Sequence, residues 1–391
     1  MKPITKLRAG LAIGCAFIAF SGYSKPSQPK KTLIVAEAFR FSDKFNQRNI
    51  AANVSGIEAA KLVFEQEHPD ASIDLRKYSH DSDLASVITT AKQIITEKVV
   101  AVIGGQKSDE AMAMGDVFAG QGIILMSPTA SNPSVTENKP FVFTACFSDR
   151  QVAASLAKFT ANTLKPKVLG IVRAISLPYT NYLSRQFKTS FEGLMSLRPV
   201  DQRVPIIDRE IIVNMTDFSD IIRDFKKAGV THVSILTHDT DFTRFVTQSS
   251  DQSFFPIFIG SDGWGPNEKV VQEIVNRPKD GKAFVGYRTY YSRDGLDTKQ
   301  VKKFSSAYKS ATGSEPNAWG AVGFDAAYAL FTAMYQAKDP TNGDEIRRRL
   351  EVLKIPAASS EELAYSNSNT PKKDLYLYKI DRTGAHYDTA L

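Results

Sequence analysis

The feature that most constrains this chain is a repeated alternation of short apolar segments with longer helical ones. Residues 99–133 show it best, because a buried strand (VVAVI) and a Gly-Gly turn precede a helix from about Ser108, and IILM follows as the next strand. Short apolar runs bounded by Gly and Pro, with a helical stretch between them, are typical of a βαβ unit. The segment therefore predicts parallel strands and an α/β fold.

Small polar residues follow both strands of this segment. Ser108 is placed at the start of the helix, and Ser131 follows the second strand. Open parallel sheets carry their ligand sites at the carboxyl ends of strands, and the free N–H groups of a helix start favour an anion. The two hydroxyls could therefore converge on one carboxylate. The simpler alternative makes Ser108 a helix cap and residues 127–133 an ordinary turn.

The same alternation begins again at Phe147 and continues to about residue 262. Two successive β/α blocks of similar size predict two doubly wound lobes, with a cleft between their facing sheet edges. From Ala283 the pattern changes to longer helices. The last segment, residues 374–387, alternates apolar and polar residues as an edge strand or hairpin does.

The N-terminus carries a targeting signal. A short basic stretch precedes the apolar run AGLAIGCAFIAFSG, which is followed by small residues and a polar spacer. This pattern predicts a secretory signal peptide over residues 1–24, cleaved near Ser21 to Ser24, and export to the periplasm. Cys15 lies in a sequence similar to a lipoprotein box, which leaves a lipid anchor as the alternative. Cleavage would leave Cys146 as the one cysteine, so we expect no intrachain disulfide.

Composition and motifs exclude several classes of function. The formal net charge is +7, and the two basic clusters, 29–31 and 347–349, lack the interleaved aromatic residues of a nucleic-acid groove. The sequence contains no GxSxG, GxxxxGK[ST], GxGxxG or HExxH motif, and its five histidines are dispersed. We therefore expect no nucleic-acid partner, no metal site, no cofactor and no catalytic centre.

Taken together, the segments resemble type I periplasmic solute-binding proteins of the leucine/isoleucine/valine-binding class, which serve ABC importers. The resemblance covers nearly all of the mature chain, and its most specific parts are VVAVIGGQKS, IILMSPTASNP, KVLGIVR…PYTN, FIGSDG and FVGY…GFDAAYAL. It implies two Rossmann-like lobes joined by a three-crossover hinge near Phe147, Ala283 and Pro356. The first lobe would comprise residues 25–147 and 284–356, and the second lobe residues 148–283 and 357–391.

The resemblance also implies where a ligand would bind in the first lobe. Ser108 matches the serine that bonds the carboxylate of an amino-acid ligand in that class. Thr129 matches the residue whose backbone meets the ligand, and Ser131 matches the hydroxyl two positions later. The aromatic residue of the first loop has no match, and Asn49 is the nearest position. Lys107, next to Ser108, is a departure that could favour a second acidic group on the ligand, or it could be a solvated side chain.

Three further residues match the second lobe of that class. Asp262 matches the acid that pairs with the ligand ammonium, although it could instead cap the turn that follows. Tyr179 matches an aromatic ligand contact, with Thr180 in place of the usual glycine. His238 falls where the class often has an aromatic residue, with Leu236 and Thr237 replacing glycines. Trp264 either forms a wall of the cleft or packs in the core.

The resemblance favours a non-catalytic, monomeric protein that captures an amino acid or a related small carboxylate and delivers it to the membrane subunits of an ABC permease. One alternative is a ligand sensor of the same fold. Another is an exported α/β hydrolase or synthase that acts on its substrate at a cleft carboxylate such as Asp262.

Overall fold

A computed structural model describes residues 30–41, 47–264, 282–293 and 295–391. The predicted signal peptide and the alternative lipid-anchor site at Cys15 lie outside the described residues. Within the described ranges, no helix is both long enough and apolar enough to cross a membrane.

Strands and helices alternate through most of the chain, as the sequence pattern predicts. The strands are β1 (Lys31–Phe39), β2 (Ala71–Ser79), β3 (Ala101–Gly104), β4 (Ile124–Ser127), β5 (Val142–Thr144), β6 (Leu169–Ala174), β7 (Ile206–Ile211), β8 (His232–Ile235), β9 (Ile257–Gly260), β10 (Val285–Tyr290), β11 (Lys354–Pro356), β12 (Glu362–Ala364), β13 (Tyr376–Asp381) and β14 (Gly384–Ala390). The helices are α1 (Gln47–Glu67), α2 (Leu84–Thr96), α3 (Ser108–Phe118), α4 (Asp149–Phe159), α5 (Pro178–Ser196), α6 (Ser219–Lys227), α7 (Asp239–Asp251), α8 (Lys299–Thr312), α9 (Ala318–Gln336) and α10 (Gly343–Glu351).

Two large sheets organise the described residues, and β11 and β12 form a third, two-stranded sheet. The first sheet has five parallel strands in the order β2-β1-β3-β4-β5. The second has seven strands in the order β14-β13-β10-β9-β8-β6-β7, of which β13 and β14 are antiparallel to their neighbours. We call each sheet with the helices packed on it the first lobe and the second lobe. The predicted α/β fold class is confirmed.

Both faces of the first sheet are covered. Successive residues of a strand point to opposite faces, so Leu33 and Val35 of β1 contribute to one core, and Ala36 and Ala38 to the other. The first of these cores includes α9, a helix that is apolar on nearly every side and buried accordingly. Burial on both faces explains why the inner strands β3 and β4 are almost continuously apolar, whereas the edge strand β2 carries charged residues.

Helices α1 and α9 approach each other unusually closely, and glycine makes this possible. A Cβ atom placed on Gly56 would lie 2.0 Å from the carbonyl oxygen of Gly320. One placed on Gly323 would lie 2.3 Å from the carbonyl oxygen of Asn53. Any larger side chain at these positions would push the two helices apart. The contact joins the N-terminal part of the first lobe to a helix more than 250 residues later.

The chain passes between the two sheets three times, in agreement with the predicted crossovers, but two crossings come later than expected. The segment 284–356 is predicted to lie in the first lobe, yet β10 pairs with β9 in the second sheet, with Val285 opposite Ile257. The change of pattern after Ala283 marks the last parallel strand and not the crossing itself. Likewise, β12 pairs with β11, and the buried side chain of Tyr365 belongs to the first-lobe core. The third crossing therefore follows Tyr365 instead of Pro356.

Candidate functional site

A cavity of about 900 Å³ lies between the two lobes, at the carboxyl ends of their parallel strands. This is the position at which open α/β sheets bind ligands. The structure brings all six residues suggested by the sequence resemblance to the wall of this cavity: Ser108, Thr129, Ser131, Tyr179, His238 and Asp262. Contact between these residues and a ligand remains a prediction.

The first-lobe wall is built from two loops that hydroxyl groups hold together. The Thr129 hydroxyl donates to the carbonyl oxygen of Gln106 at 2.7 Å, and the Ser127 hydroxyl donates to the carbonyl oxygen of Gly105 at 2.6 Å. Ser108 Oγ accepts a hydrogen bond of 3.4 Å from the backbone N–H of Asn132. These bonds fix the loop after β4 against the start of α3.

The start of α3 provides the donors that an anion needs. Ser108 is the first residue of the helix, and the N–H groups of a first helical turn have no partner within the helix. Among the described residues the Ser108 hydroxyl has no acceptor of its own, so its proton can be donated into the cavity. The wall therefore suits a carboxylate better than a cation.

Ser131 connects the cavity wall to the second lobe. Its carbonyl oxygen accepts a hydrogen bond of 2.8 Å from the backbone N–H of Asp149, the first residue of α4. Burial raises the pKa of Asp149 well above its usual range, the nearby charge of Asp262 raises it further, and the Ser131 hydroxyl opposes this shift. The first crossing between the lobes therefore lies directly behind the site.

Asp262 forms the opposite wall. Its side chain is buried and accepts hydrogen bonds from the hydroxyls of Tyr291, at 2.6 Å, and Tyr179, at 3.4 Å. No Lys or Arg of the described residues forms an ion pair with it. Burial raises its pKa to about 6, while the hydrogen bonds from the two tyrosines and the more distant charge of Arg288 oppose the shift. At neutral pH the cavity thus contains a buried carboxylate whose charge the protein does not neutralise by an ion pair.

Aromatic rings complete the cavity. The Tyr179 ring lies 5.4 Å from the His238 ring, and the Tyr291 ring lies 5.4 Å from that of Trp319. Burial lowers the pKa of His238 to about 4, and the cationic side chains of Lys107 and Arg40 contribute to the same shift. His238 is therefore neutral at physiological pH and can act as a polar ring beside the ligand.

Trp264, which from the sequence could form a wall of the cleft or pack in the core, is a core residue. The indole stacks on Phe242 with ring centroids 3.7 Å apart, and its N–H donates to the carbonyl oxygen of Ile235 at 2.8 Å. A Cβ atom on Gly260 would lie 1.8 Å from the indole, so glycine is required there. Trp264 is thus a core residue that supports the turn carrying Asp262.

Sequence reasoning missed Trp319, Tyr291 and a buried ion pair. Arg40 Nε lies 2.9 Å from Glu110 Oε1, and both side chains are almost fully buried. Arg40 lines the cavity directly after β1, so its place at the carboxyl end of a parallel strand is a signal that could have identified it. Tyr291 directly follows β10, a strand parallel to β9, and so carries the same signal. Trp319 offered none, because its position at the cavity depends on how α9 packs.

Within the part of the chain that the structure describes, no group of three or more His, Cys, Asp and Glu residues could hold a metal ion. The walls of the cavity present hydroxyls, backbone N–H groups, charged side chains and aromatic rings. This combination can bind a small molecule that carries one positive and one negative charge.

Comparisons with known proteins point in the same direction. A family model described as periplasmic binding protein matches residues 51–385. The Leu/Ile/Val-binding protein homolog 1 of Brucella abortus is 24% identical over 303 residues, covering 77% of each chain. The crystal structure of a leucine binding protein from Thermotoga maritima superposes with a TM-score of 0.77 at 19% identity, covering 92% of this chain and 98% of that one. The branched-chain amino acid transporter substrate-binding protein of Streptococcus pneumoniae, in complex with isoleucine, gives a TM-score of 0.76 at 18% identity, covering 92% and 100%.

Proposed function

This chain belongs to the periplasmic binding protein family, and we propose that it captures a small zwitterion, an amino acid or a close analogue, in the cavity between its lobes. The observation that carries the proposal is the pairing of opposite features across one cavity. Free N–H groups and the Ser108 hydroxyl lie on the first-lobe wall, and the Asp262 carboxylate lies on the second.

The energetics of burial support a ligand with both charges. Removing a charge from water without a partner costs several kcal/mol. A ligand carboxylate would be compensated at the start of α3, by Ser108 and the surrounding amides. A ligand ammonium would be compensated by Asp262, which makes no other ion pair among the described residues. A purely aliphatic acid or amine would leave one of these groups unsatisfied.

Binding would be followed by closure of the lobes about the three crossings, as in hinge-bending proteins. We propose that the closed, monomeric protein delivers its ligand to an ABC permease and performs no chemistry on it. Export through the predicted signal peptide would place it in the periplasm. The Streptococcus pneumoniae protein is described as the substrate-binding protein of a branched-chain amino acid transporter, which is consistent with this role.

The walls favour a ligand with a more polar side chain than that of leucine. Charged side chains of Arg40, Lys107, Asp239 and Arg244 line the cavity, whereas the aliphatic contribution comes mainly from Leu177 and Val213. Burying polar groups against an aliphatic side chain costs free energy unless those groups keep hydrogen bonds. We therefore expect small polar amino acids, including those with a carboxamide side chain, among the ligands.

Thermal unfolding of residues 25–391 with a panel of amino acids, amides and small carboxylates tests this proposal. A ligand present at about 100 times its dissociation constant stabilises the folded state by about 2.7 kcal/mol, which raises the midpoint visibly. We expect zwitterions to raise it and the matching amines or acids to fail. No shift with any zwitterion would contradict the proposal. Conversion of a bound compound to product would favour an exported enzyme.

A further inference from the structure

A cation and a carboxylate face each other across the cavity without forming an ion pair. Lys107 is the residue immediately before α3 in the first lobe, and its side chain lines the cavity. Asp239 is the first residue of α7 in the second lobe, and it lines the same cavity from the other side. Both side chains are partly exposed.

Neither residue is neutralised within its own lobe. In the described residues the Lys107 ammonium has no carboxylate within ion-pair distance, and Glu110, the buried acid three residues later, pairs with Arg40 instead. The Asp239 carboxylate accepts one hydrogen bond of 2.9 Å, from the backbone N–H of Thr240, and makes no ion pair there.

The position of Lys107 is unfavourable for its own helix. The N-terminal end of a helix carries a partial positive charge, which repels a cation and attracts an anion. Asp239 is well placed at the start of α7 for this reason, whereas Lys107 is poorly placed at the start of α3. A charge that costs its helix stability is better explained by an interaction outside that helix.

The two groups already act on one another electrostatically. Burial raises the pKa of Asp239, and the charge of Lys107 is among the interactions that oppose this rise. Lys107 also contributes, after burial, to the lowered pKa of His238, the neighbour of Asp239. The field of Lys107 thus crosses the cavity and reaches the start of α7.

We propose that Lys107 and Asp239 form an ion pair when the lobes close, and that this pair acts as a latch across the cavity. The latch rests on the proposed function, because closure around a ligand brings the two side chains together. An acidic ligand side chain paired with Lys107 is the competing arrangement. It is less favourable, since the ligand carboxylate would then lie near Asp239, and the single Lys107 ammonium would have to serve both carboxylates.

A zero-length carbodiimide crosslink tests the contact directly in residues 25–391 of the unmodified protein. The reagent couples an amine to a carboxylate only when the two groups touch, and peptide mass spectrometry locates the bond. We expect a Lys107–Asp239 crosslink that forms slowly without ligand and faster with saturating L-glutamine or L-leucine, whichever raises the unfolding midpoint. The exposed pair of Lys302 and Asp297, 3.1 Å apart on the first lobe, is the positive control.

Charge exchange gives an independent test. We expect Lys107→Glu and Asp239→Lys each to weaken ligand affinity about threefold to fivefold, the range for a partly exposed ion pair. The double variant should recover most of that loss and should crosslink again with the two residue types exchanged. Lys302→Met with Asp297→Asn removes the same charges far from the cavity and should leave affinity unchanged.

The outcomes separate the latch from the proposed function. A control crosslink without any Lys107–Asp239 bond, or a bond from Lys107 to Asp109 alone, would overturn the latch even if zwitterions bind. Additive losses in the double variant would do the same. A Lys107–Asp239 crosslink in a protein that binds no zwitterion would support the latch and contradict the ligand class.

Discussion

Two buried aspartates, Asp325 and Asp262, show how differently this protein treats a carboxylate inside and outside its cavity. Asp325 on α9 accepts hydrogen bonds from the backbone N–H groups of Ala358, at 2.6 Å, and Ser359, at 3.1 Å, and also from the Ser359 hydroxyl. The Lys373 ammonium lies 3.4 Å from it. Asp262 has two tyrosine hydroxyls and no ion pair among the described residues.

The difference between Asp325 and Asp262 shows which carboxylate stabilises the fold and which is available to a ligand. Asp325 is fully compensated, and Lys373 also donates to the carbonyl oxygen of Ala145 at 3.1 Å, which ties the first and third crossings to α9. That cluster is structural. Asp262 has no ion pair among the described residues, and the two tyrosine hydroxyls and the charge of Arg288 compensate its burial only in part. The free protein therefore bears a cost that a cationic group of a ligand can relieve.

Breaking the compensated site should have the largest effect. Lys373→Met leaves the Asp325 carboxylate buried without its cation, and we expect a loss of about 3–5 kcal/mol in the free energy of unfolding. Chemical denaturation with urea measures it. The control is Lys373→Met combined with Asp325→Asn, which removes both charges and should recover much of the loss. Equal stability of the single variant and the wild type would mean that the pair is not needed.

Removing the charge of Asp262, which has no ion pair among the described residues, should stabilise the ligand-free protein instead of destabilising it. Because burial raises the folded-state pKa of Asp262 from 3.8 to about 6, the folded protein favours the protonated acid. The contribution of Asp262 to stability therefore falls as pH rises from about 4 to 6, and its full cost, about 3 kcal/mol, is present at pH 7.

Asp262→Asn should accordingly raise the free energy of unfolding of the ligand-free protein at about pH 7, by up to about 3 kcal/mol, and abolish ligand binding. Denaturation and titration calorimetry on the same sample measure the two effects. A variant that is destabilised, or that still binds a zwitterion tightly, would remove Asp262 from its proposed role.

The first-lobe wall should respond more moderately. Ser108→Ala removes one hydroxyl donor to a ligand carboxylate but keeps the N–H groups of α3, so we expect affinity to fall by about 1–3 kcal/mol. Calorimetry with the ligand that the panel identifies measures this. Ser310→Ala, at an exposed serine of α8 that does not line the cavity, is the matched control. Unchanged affinity in Ser108→Ala would return this serine to a purely local role at the helix start.

The smallest expected effect is a pH dependence of binding. An ammonium group binds the deprotonated form of Asp262, so affinity should be constant well above the pKa of about 6 and fall as pH drops through it. From about pH 7 to pH 5 we expect roughly a tenfold loss, since one pKa unit corresponds to 1.36 kcal/mol. His238, with a pKa of about 4, stays neutral over this range. Affinity that rises on acidification would contradict the assignment of Asp262 to the ammonium.

Much of the fold was predictable from local patterns. The strand, helix and strand expected within residues 99–133 appear as β3, α3 and β4, with α3 beginning at Ser108. The late crossings were not predictable, because β10 is recognisable as a second-sheet strand only through its pairing with β9. The apolar residues of a strand indicate that it is buried, but they do not indicate which strand is its neighbour in the sheet.

Some residues of the candidate site were predictable from short motifs, and others become evident only in the folded chain. Ser108, Thr129 and Asp262 were identified through motifs that span only a few residues each, and all three line the cavity. Arg40 and Glu110 are 70 residues apart, so only the folded chain reveals their ion pair. Trp319 reaches the cavity because α9 packs on α1, a contact between segments more than 250 residues apart.

The sequence by itself determined the α/β alternation, the start of α3 and the resemblance to a family, because each depends on periodicity or spacing within a short segment. Tertiary structure decided which strand ends face each other, which aspartate received a cation and which was left for a ligand. The physical reason is that burial and charge compensation depend on the three-dimensional neighbours of a side chain. Those neighbours come from distant parts of the chain.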